Sequence, residues 1–298
     1  MHASLFIPMM FAATSFFSLP VSAETSQFGW SQFRGPNGSG VAHGCQPPTD
    51  LDAAAATWKI ELPPGHSSPI FAKQLILLTA IEGGRLVTLA LKKQTGELAW
   101  RRQAPECPIE KTHKDNSPAV ATPCVDDARV YVCFGSCGLL CYDHDGRECW
   151  SKSISTPRSL YGMSCSPILN GDQLILVVDN DANLPNSKLS QSKIIALNRF
   201  TGESIWETHR PFHRSGWSTP AIWNHEGGQE LVVLGNGRLR GYDATTGVEK
   251  WFVNGFSRET ITVPMSGNGF VYASASMLGG VPDEQPDPEP FWKAVLLF

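Results

Sequence analysis

Ala196 to Trp206 reads ALNRFTGESIW, and Gly241 to Trp251 reads GYDATTGVEKW. Two further stretches fall into register with them: ALKKQTGELAW from Ala90 to Trp100, and CYDHDGRECW from Cys141 to Trp150, one residue shorter. Each opens on a small residue, and each places a glycine four residues before a tryptophan: Gly96/Trp100, Gly146/Trp150, Gly202/Trp206 and Gly247/Trp251. A proline after a small or polar residue precedes each unit, at Pro69, Pro118, Pro167 and Pro220, with a fifth at Pro264. Recurrence of two independent markers in register identifies an internal repeat.

Between the markers the chain reads as strands. LILLTA (Leu75 to Ala80) runs into Gly83-Gly84, RLVTLAL (Arg85 to Leu91) follows, and the Gly96 turn leads to ELAWRR. Short β-rich runs separated by glycine turns at this density are hairpins. RVYVCF-GSCG-LLCYD and ELVVLGNGRLRGYD repeat the arrangement, and QLILVV is joined to KIIALN by a long loop. Each unit is therefore a four-stranded antiparallel sheet of about 45–55 residues, one propeller blade. The fold predicted is all-β, a β-propeller with four full blades, the start of a fifth over Val263 to Ser276, and an incomplete ring. A lone sheet cannot bury both faces, so blades stack side by side. The indoles seal the seams and the glycines accept the positive φ of the turn before them, so these eight residues are read as structural. Ala90, Ala196 and Gly241 leave room for the indole.

The 298 residues are 42% hydrophobic and 17% charged, a balance that excludes a disordered tail or a coiled coil. Twenty-four Lys+Arg against 28 Asp+Glu give a net charge of −4 with no basic stripe, so no nucleic-acid partner is expected. Residues 1–23 read as a signal peptide, with an apolar run from Leu5 to Phe17 and a Val-Ser-Ala tripeptide before Glu24. Residues 24–57 form an N-terminal extension, 58–278 the repeats, and 279–298 a Pro/acidic linker with the start of a truncated segment. A periplasmic or secreted protein without a transmembrane segment beyond the signal is expected.

Five of the eight cysteines crowd between Cys124 and Cys149. Cys133, Cys137, Cys141 and His144 invite a metal reading, but Cys133 and Cys141 fall on paired strands with Cys137 at the hairpin tip. They are read as small apolar seam residues, one disulfide among them being open, and no metal site is assigned. Asp143-His144-Asp145-Gly146 and Gly235-Asn236-Gly237-Arg238 are read as hairpin turns. The stretches leading into the innermost strands converge on one mouth of the propeller channel. His66, His113, Asp115, Asn116, Arg214 and Trp217 are accordingly candidate contacts for a small ligand or peptide. The competing reading is that Ser and Thr there merely satisfy backbone groups at strand starts.

The pattern A-x-D-x-x-T-G-x-x-x-W resembles the pyrroloquinoline-quinone-like (PQQ-like) propeller repeat. Ala196–Trp206 and Gly241–Trp251 follow it most closely, while Lys92 replaces the Asp in the first unit. WSQFRGPNGSGVA, Trp30 to Ala42, is similar to the start of exported PQQ-like propeller proteins of planctomycete-type bacteria. The resemblance implies seven or eight blades, closed by pairing an N-terminal strand with C-terminal ones. Trp58 to Leu62 fits such an outer strand, and the chain is read as a truncated product or fragment. Two functions follow from the resemblance. One is an exported, non-catalytic scaffold like the outer-membrane assembly protein BamB, binding protein partners or a small ligand without a cofactor. The alternative is a quinoprotein oxidoreductase using PQQ and calcium, although the adjacent cysteines of those enzymes and a C-x-x-C-H haem motif are missing here.

Overall fold

The computed structural model describes residues 29–42, 44–46, 48–49, 56–155, 157–159, 161–180, 191–210, 216–235, 237–256 and 260–275. The signal peptide over 1–23, the segment 279–298 and Arg214 lie outside the described residues.

Four sheets follow one another along the chain. The first comprises β1 (Ile70–Ala72), β2 (Leu75–Glu82), β3 (Arg85–Lys92) and β4 (Leu98–Gln103). The second comprises β5 (Cys124–Val125), β6 (Arg129–Phe134), β7 (Gly138–Asp143) and β8 (Glu148–Lys152). The third comprises β9 (Ile168–Asn170), β10 (Gln173–Val178), β11 (Lys193–Asn198) and β12 (Ser204–His209). The fourth comprises β13 (Ala221–His225), β14 (Gly228–Gly235), β15 (Arg238–Asp243) and β16 (Glu249–Asn254). A two-stranded hairpin of β17 (Met265–Gly267) and β18 (Phe270–Tyr272) comes last. Every sheet is antiparallel with its strands in chain order, and the set does not close into a ring among the described residues.

The middle strands are covered on both faces, which is why β3 is buried continuously from Leu86 to Leu91 while β12 alternates. The apolar cores lie between sheets rather than within them. Ile70, Leu77 and Trp100 pack with Val130, Val132 and Tyr142 across the first seam. Tyr131, Cys133 and Leu139 meet Leu174, Leu176 and Ile195 across the second, and Ile175 and Ile194 meet Leu231 and Tyr242 across the third.

The seams use the repeated residues in a way the spacing alone does not show. Trp100 lies against Gly146 of the following sheet, Trp150 against Gly202 and Trp206 against Gly247, while Trp58 fills the same place against Gly96. All four glycines have φ between +73° and +79°, so each forms its turn and also serves as the floor for the preceding unit's indole. Trp100 Nε1 donates to His144 O at 2.8 Å and Trp150 to Arg199 O at 2.9 Å, bridging the first and second seams with one hydrogen bond each, and Trp58 donates in the same way to Lys93 O of the first sheet at 2.9 Å. Trp206 Nε1 turns instead to Gln173 Oε1 of its own sheet, at 2.9 Å. A glycine therefore partners the tryptophan before it in space, not the one four residues later in sequence. Trp58 to Leu62 occupies a seam but is not in a strand, contrary to the expectation.

Each outer strand also carries a β-bulge at its tryptophan. Ala90 faces Trp100 and Leu91 faces Leu98, leaving Ala99 as the extra residue. Cys149, Ile205 and Lys250 take that place in the other three sheets.

The proline marker of the second unit needs correcting. Pro69, Pro167, Pro220 and Pro264 stand directly before β1, β9, β13 and β17, but Pro123, not Pro118, stands before β5. The linker after β4 is the longest of the set, and Pro118 belongs to its interior. Finally, the segment from Trp30 to Gly40 runs along the free edges of the inner strands. Trp30 O accepts from Phe71 N and Ser31 O from Val125 N, each at 2.9 Å. The Asn37 amide clasps Ile222, accepting from its N–H at 2.8 Å and donating to its carbonyl at 2.6 Å. These bonds occupy edges that would otherwise expose unpaired backbone groups.

Candidate functional site

The linkers from an outer strand to the next inner strand, residues 104–123, 153–167 and 210–220, leave the sheets at the same end, because each spans the same step of an up-and-down meander. Immediately below them runs a belt of hydroxyls. Ser68, Thr122, Ser166 and Thr219 each precede the marker proline. Ser68 N donates to Thr122 Oγ1, Thr122 N to Ser166 Oγ and Ser166 N to Thr219 Oγ1, each at 3.0 Å. Proline cannot donate a hydrogen bond, so the residue before it supplies the link to the next blade. The hydroxyls of Thr122, Ser166 and Thr219 are thus engaged by the architecture.

Above the belt the structure brings four of the candidate residues together. His113 stacks at a tilt on Tyr161, with ring centroids 5.1 Å apart, and Tyr161 meets Trp217 edge-on at 5.1 Å. Asn116 Nδ2 donates to Tyr161 O at 2.5 Å, and Trp217 Nε1 donates to Ser159 Oγ at 2.8 Å. His113 Nδ1 lies 3.2 Å from Asp115 Oδ2 and 3.3 Å from the Asp115 backbone nitrogen. The neutral ring accepts from that N–H, and the protonated ring donates to the carboxylate. Asp115 is exposed, whereas Trp217 is buried and held at φ +56°. A bulky side chain in the left-handed region costs about 1–3 kcal/mol and persists only where the surroundings hold it. His66 is not part of this cluster: its backbone N–H donates to Ala119 O at 2.9 Å while its side chain is exposed.

Sequence reasoning missed Tyr161 and Glu110. Tyr161 lies on one of the stretches leading into the innermost strands, and its aromatic character was the available signal. Glu110 had none, since it lies outside every repeated motif. Its backbone N–H donates to Ser136 Oγ at 2.8 Å, its Oε2 accepts from Met163 N at 3.3 Å, and burial pushes its carboxyl from 4.5 up to about 7. Below the third linker, Arg210 Nη2 pairs with Asp179 Oδ2 at 3.1 Å in full burial, and Nη1 donates to Tyr242 Oη at 3.0 Å. Cys107 of the first linker is bonded to Cys137 at the tip of the β6–β7 hairpin, so the one disulfide of the described residues takes a cysteine from outside the crowded stretch.

The cluster offers aromatic faces beside an amide, an imidazole and a carboxylate, a set suited to holding a ligand. Among the described residues no three His, Cys, Asp or Glu side chains converge as donors for an ion.

Residues 49–184 match the family described as outer membrane protein assembly factor BamB. No curated protein matches the chain. Among solved structures, BamB from Moraxella catarrhalis superposes with a TM-score of 0.49 at 18% identity, over 73% of this chain and 59% of that one. A quinohemoprotein alcohol dehydrogenase from Pseudomonas putida HK5 gives 0.46 at 16%, over 66% and 35%. A europium-containing methanol dehydrogenase gives 0.48 at 15%, over 64% and 42%. The chain thus spans less than two thirds of the length of each of these. Assignment rests on the sequence match together with the indole-on-glycine seams, and not on these distant superpositions. On those two grounds the chain is a β-propeller protein built of PQQ-like repeats.

Proposed function

We propose that this protein is an exported, non-catalytic propeller whose linker end binds a protein partner or a small ligand. The observation that carries the proposal is the convergence of His113, Tyr161 and Trp217 from three successive linkers, with Asp115 and Asn116 beside them. The residues that recur are spent on seams and on the hydroxyl belt, so what differs from blade to blade is the linker surface. Export is supported by the Cys107–Cys137 disulfide, which is at home in an oxidising compartment. Among the described residues no helix is long and apolar enough to cross a membrane.

The test places a photo-crosslinking amino acid at Asp115 or at Thr245, the latter on a β15–β16 turn at the opposite end of the sheets, in cells that export the protein. Adducts confined to the Asp115 position support the reading; equal labelling at both contradicts it. In parallel, the purified protein is incubated with PQQ, calcium and primary alcohols beside an electron-accepting dye. No dye reduction is expected, and turnover would replace this reading with the oxidoreductase one.

A further inference from the structure

The second sheet departs from its siblings at two facing positions. In the first, third and fourth sheets the residue opposite the tryptophan is Ala90, Ala196 or Gly241, and the bulge residue is Ala99, Ile205 or Lys250. In the second sheet both are cysteines: Cys141 faces Trp150, and Cys149 is the extra residue of the bulge beside it. A bulge sets two residues of one strand against a single residue of its neighbour, so Cys149 and Trp150 both stand opposite Cys141. The two differ in access. Cys141 is buried among the residues that join the second and third sheets, while Cys149 is exposed. Neither is bonded, and neither is demanded by the seam, since alanine serves at both places in the first sheet.

We propose that Cys141 and Cys149 form a dithiol site of thiol–disulfide exchange, closing to a second disulfide beneath Trp150 when a disulfide oxidant reaches Cys149. The exposed Cys149 thiolate attacks one sulfur of the oxidant, here oxidised glutathione. That S–S bond breaks, and one glutathione leaves as a thiolate. The Cys141 thiol gives up its proton, and its sulfur attacks Cys149 in the mixed disulfide and expels the second glutathione. The protein loses two hydrogens and two electrons, and oxidised glutathione becomes two glutathione thiols. Burial raises the Cys141 thiol above its ordinary value, so Cys149 attacks first and Cys141 resolves.

The experiment incubates the purified protein with oxidised glutathione, alkylates the remaining thiols and maps peptides without reduction. Trypsin places Cys149 on residues 148–152, apart from Cys141 on 130–147. The expected result is a three-peptide species, in which 130–147 keeps 103–111 through the Cys107–Cys137 bond and gains 148–152, with fragmentation locating the new bond at Cys141, and two fewer alkylated thiols. Cys141→Ala and Cys149→Ala reproduce residues that the first sheet already carries, so both fold. Cys141→Ala stalls at the glutathione adduct on Cys149, and Cys149→Ala leaves Cys141 alkylated. The proposal is overturned if the unmutated protein stops at that adduct, if Cys149 is recovered as a free thiol, or if Cys149 bonds to Cys45, the other exposed free cysteine of the described residues.

Discussion

Gly146 shows how much one residue carries in this fold. At φ +79° it shapes its own turn, and a Cβ there would lie 2.7 Å from the Trp100 ring of the preceding sheet. Glu110 is the opposite case, a side chain with no repeated counterpart whose charge the fold disfavours. Its carboxyl stays protonated up to about pH 7 in the native state, while the unfolded chain ionises near 4.5. The native protein therefore holds the extra proton between those values, and the contribution of Glu110 to stability falls as pH rises from 4.5 to 7 and is level on either side. Glu110→Gln keeps an oxygen for Met163 N and removes the titration. Urea denaturation should show the variant more stable than the parent by about 1–3 kcal/mol at pH 8 and equal to it at pH 4, where both carboxyls are neutral. An unchanged pH profile would mean that Glu110 is solvated.

At the scale of the element, strands were legible because their chemistry is local. LILLTAIE and RLVTLALK are long apolar runs bounded by glycines, and they became β2 and β3. Linkers were not legible, because what they contact is remote in sequence. Pro118 looked like a marker since Ser117-Pro118 imitates Ser166-Pro167, and only the partner of the preceding hydroxyl separates them. Thr122 bonds Ser68 and Ser166, whereas Ser117 bonds the neighbouring Ala119 N at 3.1 Å. Thr122→Val keeps the shape and strands the Ser68 amide. It should cost about 1–3 kcal/mol in denaturant unfolding and speed hydrogen exchange at Ser68. Ser117→Ala should cost less and leave that amide protected.

For the whole molecule, the sequence reading reached the blade, its four-stranded order and the turn role of the glycines, but not which glycine each indole packs on. Spacing within a motif reports the turn, while the seam joins residues about 45 positions apart, a distance only packing reveals. The same limit hid the strap of residues 30–40, whose Asn37–Ile222 clasp has no local signature, and the Cys107–Cys137 bond. Of the six ligand candidates, His113, Asp115, Asn116 and Trp217 meet at one end because their linkers leave equivalent strands. His66 stays apart, and Arg214 lies outside the described residues. Blade-to-blade docking is thus the claim on which the linker surface depends. A double-mutant cycle in urea tests it directly, pairing Gly146→Ala with Trp100→Phe and, separately, with Trp150→Phe. Docking onto the following sheet predicts a coupling of about 1 kcal/mol or more for Trp100 with Gly146 and near zero for Trp150 with Gly146. The reverse order, with Gly146 coupled to the tryptophan four residues after it, would contradict the account.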